Sequence, residues 1–202
     1  TPPADDAAVQ AADSVAEGGL GDEMGNEAII IEANAHGSHI DTGGGDDHLA
    51  INGTVSDSYI VPGHGDGFLA IGGFTSGMLD GGEGYDTLIL YLDDLGGDSA
   101  FGSSGAFSGL FGEGAARGFD ELIRGMIGGG SDTLDMGTLL DSIKDIHGGD
   151  DLVVRIQGGD DERVDTQRLV DSGWNCHDNG DGTSSWISSD DATLTFVIQN
   201  GL

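Results

Sequence analysis

Carboxylates held at a fixed distance from glycines are the groups in this chain with chemistry to offer. Ile40-Asp41-Thr42-Gly43-Gly44-Gly45-Asp46-Asp47-His48-Leu49-Ala50-Ile51 returns as Ile60-Val61-Pro62-Gly63-His64-Gly65-Asp66-Gly67-Phe68-Leu69-Ala70-Ile71. It returns again as Leu79-Asp80-Gly81-Gly82-Glu83-Gly84-Tyr85-Asp86-Thr87-Leu88-Ile89-Leu90, with offsets of 20 and then 19 residues. A Gly-x-Gly turn can aim several backbone carbonyls at one point, because glycine reaches backbone angles that other residues avoid. An Asp just after the turn adds charge. Calcium takes about six to eight oxygen ligands, and such a turn supplies oxygens only. The residues of these turns that could face a cation are Asp46, Asp47, Asp66 and Asp86, with Gly43, Gly45, Gly63, Gly65, Gly82 and Gly84. Shifted back by 20, the pattern falls on Gly25-Asn26-Glu27-Ala28-Ile29-Ile30-Ile31, with Glu27 in the place of Asp47. Gly67 stands where a ligand Asp belongs, beside Asp66. A later turn, Gly128-Gly129-Gly130-Ser131-Asp132, adds Gly128, Gly130 and Asp132 to the candidates.

A short fixed period predicts stacked repeats that cannot bury their apolar faces alone. Alternate residues of a strand point to opposite faces. Ile29 and Ile31, Leu49 and Ile51, Leu69 and Ile71, and Leu88 and Leu90 then form the core, while Ile30, Ala50, Ala70 and Ile89 point outward. An apolar outer column implies a covered face, by a later part of the chain or by a second copy. The opposite edge, near Gly53-Thr54 and Gly72-Gly73, lacks carboxylates, which places the cation sites along one edge only.

The segments around the repeats divide the chain. Residues 1–19 read as an acidic extended arm or linker, 20–91 as the repeat region of about four coils, 92–118 as an ordered Gly/Ser-rich loop, and 119–202 as a β-rich cap. Within the cap, Thr138, Leu139, Leu140, Ile143 and Ile146 have helical spacing. Asn179-Gly180-Asp181-Gly182 predicts a hairpin turn pairing Trp174–His177 with Ser184–Ile187, and Ala192–Ile198 a closing strand. A cap is required because an open stack exposes its core and its strand edges.

Charge narrows the partners. The chain has 37 acidic and 6 basic residues, a net charge of −31. Nucleic acid and anionic membrane surfaces need basic patches, so neither is expected as a partner. No run of 18 apolar residues predicts a membrane span, and no N-terminal signal peptide pattern is visible. The one cysteine, Cys176, leaves no intrachain disulfide. A single Cys suits either a cytosolic protein or a bacterial exported one that uses calcium in place of disulfides.

Gly81-Gly82-Glu83-Gly84-Tyr85-Asp86-Thr87-Leu88-Ile89 resembles the RTX (hemolysin-type) calcium-binding nonapeptide, Gly-Gly-x-Gly-x-Asp-x-apolar-x, at every defined position. Thr42-Gly43-Gly44-Gly45-Asp46-Asp47-His48-Leu49-Ala50 departs from it only at the first glycine. The resemblance implies an all-β fold, a parallel β-roll or β-solenoid of about four coils with a C-terminal β-rich capping domain. It implies calcium on Asp47, Asp86 and Asp132 and on the carbonyls of Gly43, Gly45, Gly82 and Gly84. The segments Gly128–Leu134, Leu139–Ile146, Gly158–Asp161, Gly173-Trp174 and Ala192-Thr193-Leu194 resemble the C-terminal region of RTX adhesins exported by type I secretion. That likeness implies an uncleaved C-terminal export signal, contact with the type I secretion machinery, and a secreted protein of the bacterial surface.

Other constellations have simpler readings. His36, His39, His48 and His64 suit outward polar positions better than a transition-metal site. Asp178-Asn179-Gly180-Asp181-Gly182 lacks the downstream Glu of an EF-hand. His147-Gly148-Gly149 has no Gly-x-Ser-x-Gly to supply a nucleophile. No catalytic constellation emerges. The expected function is a calcium-stabilised structural or adhesive protein that folds after secretion. Two alternatives stand beside it: a self-assembling subunit of an extracellular filament, through the outer column and the arm, and a non-catalytic calcium module of an RTX protease or lipase.

Overall fold

A computed structural model of the chain describes residues 7–10, 25–93, 115–127, 133–136, 139, 140, 143, 151–157, 163–190 and 192–200. Its strands in chain order are β1 (Ala7–Gln10), β2 (Ala28–Ile31), β3 (Ala35–His36), β4 (His39–Asp41), β5 (His48–Ser56) and β6 (Ser58–Val61). Next come β7 (Phe68–Phe74), β8 (Gly77–Asp80), β9 (Thr87–Asp93), β10 (Ala116–Arg117), β11 (Glu121–Ile127) and β12 (Thr133–Asp135). The last are β13 (Leu152–Gln157), β14 (Arg163–Asp165), β15 (Asn175–Asp178), β16 (Thr183–Ile187) and β17 (Leu194–Gln199). A short helix, α1 (Gln167–Asp171), lies between β14 and β15.

Two sheets close on one apolar core. The larger has eleven strands in the order β1-β2-β5-β7-β9-β11-β13-β17-β16-β15, with β3 beside β5. The smaller runs β10-β8-β6-β4, and β12 pairs separately with β14. In the repeat region the pairing is parallel and in repeat register. Ile29 faces Leu49, Leu49 faces Leu69 and Leu69 faces Leu88. All four are at most 2% exposed, as are Ile40, Ile60 and Leu79 from the smaller sheet. Burying one such side chain contributes about 1.5–3 kcal/mol. A glycine costs about 0.5–1 kcal/mol relative to alanine in a regular element. The apolar columns therefore outweigh the glycines, and the turns follow where the strands stack.

The outward column is uneven. Ile30 is exposed and Ala50 and Ile89 are half-buried, but Ala70 is buried. Further along the same face, Arg155 pairs with the Glu121 carboxylate.

The fold departs from the expected parallel β-roll with a C-terminal capping domain. The main sheet is mixed, and it is neither a parallel roll of four coils nor a stack with a separate cap. β11, β13 and β17 join the same sheet in parallel after β9, and then β16 and β15 add antiparallel. The physical cause is the open edge of β9. Its backbone groups and the end of the core beneath it need cover. Glu121–Ile127, Leu152–Gln157 and Leu194–Gln199 supply strands with inward apolar residues, among them Leu122, Val154 and Phe196, each at most 1% exposed. The turn at Asn179–Gly182 makes β15 antiparallel to β16, and the chain reverses again between Ile187 and Leu194, which makes β16 antiparallel to β17.

The ends differ from expectation too. Residues 7–10 fall in the segment read as an extended arm, yet they form β1 and pair in parallel with β2. Ala115 to Gly118, the end of the stretch read as a loop, carries β10 against β8. Residues 92 and 93 end β9, and residues 94–114, with Phe101, Phe107, Leu110 and Phe111, lie outside the described residues. At the C-terminal end Trp174 packs on Phe196 with ring centroids 5.1 Å apart, and Trp186 and buried Leu169 close the core. Of the residues read with helical spacing, Leu139, Leu140 and Ile143 are helical and Leu139 and Ile143 buried, while Thr138 and Ile146 lie outside the described residues; Met136 is also helical and buried.

Candidate metal centre

Each repeat turn joins a strand of the smaller sheet to the next strand of the larger one. The turns stack like the strands they connect. The His64 amide donates to the Gly43 carbonyl at 2.8 Å, the Gly45 amide to the His64 carbonyl at 3.2 Å, and the Gly65 amide to the Glu83 carbonyl at 2.8 Å. Gly44, His64 and Glu83 are thereby bridged in parallel. Gly43, Gly45, Gly63, Gly82 and Gly84 have positive φ.

Two columns of side chains run along the stack. The inner column is Glu27, Asp47, Gly67 and Asp86, all buried. Its carboxylates take amides from the preceding repeat. The Glu27 amide donates to Asp47 Oδ1 at 2.8 Å, and the Gly67 amide to Asp86 Oδ1 at 2.9 Å. The column continues just before β11, where Asp120 Oδ2 accepts from the Asp86 amide at 2.9 Å. The outer column is Asn26, Asp46, Asp66 and Tyr85, all exposed, and its bonds run the other way. Asn26 Oδ1 accepts from the Asp46 amide at 2.9 Å, Asp46 Oδ1 from the Asp66 amide at 3.0 Å, and Asp66 Oδ1 from the Tyr85 amide at 2.9 Å. Asp46 and Asp66 thus staple adjacent turns at the surface, while Asp47 and Asp86 sit inside.

The inner column leaves oxygens over. Asp47 Oδ2, Asp86 Oδ2 and Thr42 Oγ1 are buried with no hydrogen-bond partner. Unmet buried acceptors of this kind cost about 1–3 kcal/mol each. Three oxygens also converge at Gly63, where an added β-carbon would lie 2.7 Å from both Asp47 Oδ2 and the Gly43 carbonyl oxygen and 3.1 Å from Thr42 Oγ1. Burial, and then the charges of Asp120, Asp66 and Asp80, push the Asp86 carboxyl up to about 7, against the lowering effect of the Gly67 amide.

These residues fit a hard cation in donor type, since every leftover atom is an oxygen. They do not form a carboxylate cage. Among the described residues no three His, Cys, Asp or Glu side chains gather as a metal site. A cation here would rest on one carboxylate per turn together with hydroxyl and carbonyl oxygens. Gly67 has its own reason to be glycine, because a β-carbon there would meet Asp86 Oδ1 at 2.5 Å. Gly65 is half-buried within the stack, and Gly82 and Gly84 are exposed. Gly128, Gly130 and Asp132 lie outside the described residues.

The histidines occupy ladder positions. His39 packs edge-on against Tyr59, His48 stacks on Phe68, and His36 Nδ1 lies 3.0 Å from Ser56 Oγ, each pair one repeat apart. Two residues escaped the reading of the glycine pattern, Thr42 and Asp120. Asp120 had a signal in sequence, since Phe119-Asp120-Glu121-Leu122-Ile123 repeats the aromatic–Asp–x–Leu–Ile order of Tyr85-Asp86-Thr87-Leu88-Ile89. Of the preceding glycines one remains, Gly118, which stands two residues before Asp120 as Gly84 stands before Asp86. No family model, curated protein or solved structure matches the chain.

Proposed function

We propose that this chain is a calcium-stabilised structural or adhesive protein of the bacterial surface or extracellular matrix, similar to RTX proteins and folding after type I secretion. The observation that supports it most is the set of buried oxygens without partners, Thr42 Oγ1, Asp47 Oδ2 and Asp86 Oδ2, inside turns of a chain with net charge −31. Calcium supplies positive charge and oxygen coordination there, where the fold supplies only acceptors. Such sites in extracellular modules have dissociation constants on the order of 10⁻⁴–10⁻³ M. Cytosolic calcium would leave them empty and external calcium would fill them, so that folding is driven outside the cell. Circular dichroism and thermal melting in millimolar calcium and in EDTA test this. The expected result is a large loss of β signal or melting temperature in EDTA. An unchanged spectrum and melting point would sink it.

A second reading is a self-assembling subunit of an extracellular filament. It is favoured by the ends of the main sheet, β1 and β15, the latter with all four residues exposed. An unprotected sheet edge is a template for another chain. Electron microscopy at millimolar calcium tests it, and monomers under all conditions count against it.

A further inference from the structure

The repeat turns do not offer a cation the same oxygens. Thr42 aligns with Pro62 and Gly81, and neither of those carries a side-chain oxygen. Thr42 is 1% exposed, and its hydroxyl has no partner. A valine would fill the same space without burying a hydroxyl, so packing alone gives no reason for threonine. Asp47, 0% exposed, spends Oδ1 on the Glu27 amide and leaves Oδ2 over. The Gly43 carbonyl spends one lone pair on the His64 amide and keeps a second. All three spare oxygens converge on the α-carbon of Gly63, within 3.1 Å of where a β-carbon would stand. Only hydrogen occupies that place, and the φ of 97° there is one that favours glycine.

We propose that Thr42 is a ligand for a hard divalent cation, calcium, through its hydroxyl oxygen, in a cradle completed by Asp47 Oδ2 and the Gly43 carbonyl and kept open by Gly63. The assignment rests on the calcium reading above and adds a ligand where the repeat pattern has glycine. One carboxylate, one hydroxyl and one carbonyl are all hard donors, and water completes the shell of about six to eight. The two side-chain oxygens have almost no exposed surface, so the cation is enclosed as the turns of Gly43 and Gly63 stack and leaves when they part.

The test uses the full chain stripped with chelator, then titrated with calcium chloride by calorimetry, with melting curves recorded in EDTA. Thr42→Val is expected to weaken calcium binding at least about tenfold, a loss of about 1.4 kcal/mol, while melting in EDTA no lower than the parent chain. Thr42→Ser, which keeps the oxygen, is expected to restore binding. Asp47→Asn is expected to weaken it further. Undiminished affinity in Thr42→Val, with binding lost in Asp47→Asn, overturns the Thr42 assignment and leaves the calcium reading standing. A Thr42→Ser variant that binds as poorly as Thr42→Val also overturns it. A parent chain that takes up no calcium overturns both.

Discussion

The Asp86 amide reaches Asp120 Oδ2 at 2.9 Å across 34 residues of chain. The same contact joins Glu27 to Asp47 and Gly67 to Asp86 over 20 and 19 residues. Asp120 is therefore the next rung of the inner column, although its turn has lost the Gly-x-Gly pair and keeps Gly118 alone. Gly118 follows Arg117, the partner of Asp80, and Glu121 already faces Thr87. Only Phe119 and Asp120 remain to make the bend that residues 82–86 make one repeat earlier. The stack of Gly-x-Gly turns ends there, and a lone carboxylate closes it. Arg117 adds a fixed positive charge at that end, bonded through Nε to Asp80 Oδ2 at 2.9 Å.

Removing that rung has a defined cost. Asp120→Ala leaves the buried amide of Asp86 without its acceptor. Hydrogen bonds to charged groups contribute about 1.5–3 kcal/mol, so urea unfolding is expected to show a loss of that size. Asp120→Asn keeps an oxygen and is expected to lose less than half as much. Equal losses in the two variants would mean that charge, not the hydrogen bond, is what Asp120 contributes.

The columns that the sequence shows are those where period and alternation agree. Leu49, Leu69 and Leu88 are inward in both readings because a 20-residue period and a two-residue alternation leave one register. The destination of residues after Tyr91 is not legible in the same way. The period lengthens to 34 between Asp86 and Asp120, and insertion length carries no information on which edge the next strand will take. Leu122, Val154 and Phe196 look like core residues of any β-rich cap. Their place in one sheet with β9 depends on an open edge that only the assembled repeats present. The candidate site divides likewise. Asp47 and Asp86 follow from the motif, whereas the outward place of Asp46 and Asp66 follows from the turn geometry.

Asp86 makes the calcium-free protein sensitive to pH. Its folded value of about 7 lies above the ordinary 3.8, chiefly through burial. Between those values the folded chain holds a proton that the unfolded chain has released. The stabilising contribution of the neutral acid is complete below about pH 4 and is lost as pH rises through about 7. In EDTA, chemical denaturation is expected to show stability falling across that window. Asp86→Asn, which cannot ionise, is expected to flatten the fall. An identical slope in the two proteins would place the titration elsewhere, in the general repulsion among 37 acidic residues.

Core and outer columns separate by size of effect. Leu69 is fully buried between Leu49 and Leu88, and Leu69→Ala is expected to cost about 2–5 kcal/mol. Ile30, 39% exposed on the outward side, is expected to cost less than about 1 kcal/mol as Ile30→Ala. Equilibrium unfolding of the two variants in millimolar calcium checks this. A cost at Ile30 comparable to that at Leu69 would mean that the outward face is covered by a second copy in solution, and sedimentation would then show it.

Gly67 carries the least intuitive expectation. Gly67→Asp restores the carboxylate that the repeat pattern calls for, so the motif alone predicts an added ligand and a gain in stability with calcium. The packing predicts the reverse. A β-carbon at position 67 falls 2.5 Å from Asp86 Oδ1 and 3.2 Å from both the ring and the carbonyl oxygen of Pro62. The carboxylate that follows it would enter beside a buried acid already pushed up to about 7. Overpacking of this kind costs about 1–3 kcal/mol, and Gly67→Ala isolates that part from the charge. Both variants are expected to melt below the parent chain in EDTA, with Gly67→Asp the lower. Millimolar calcium is expected to narrow the gap between them, because a cation can neutralise the added charge but cannot relieve the contact. A Gly67→Asp chain more stable than the parent in calcium would show that the turn yields to the side chain and that Asp86 Oδ1 is free to turn away from the Gly67 amide.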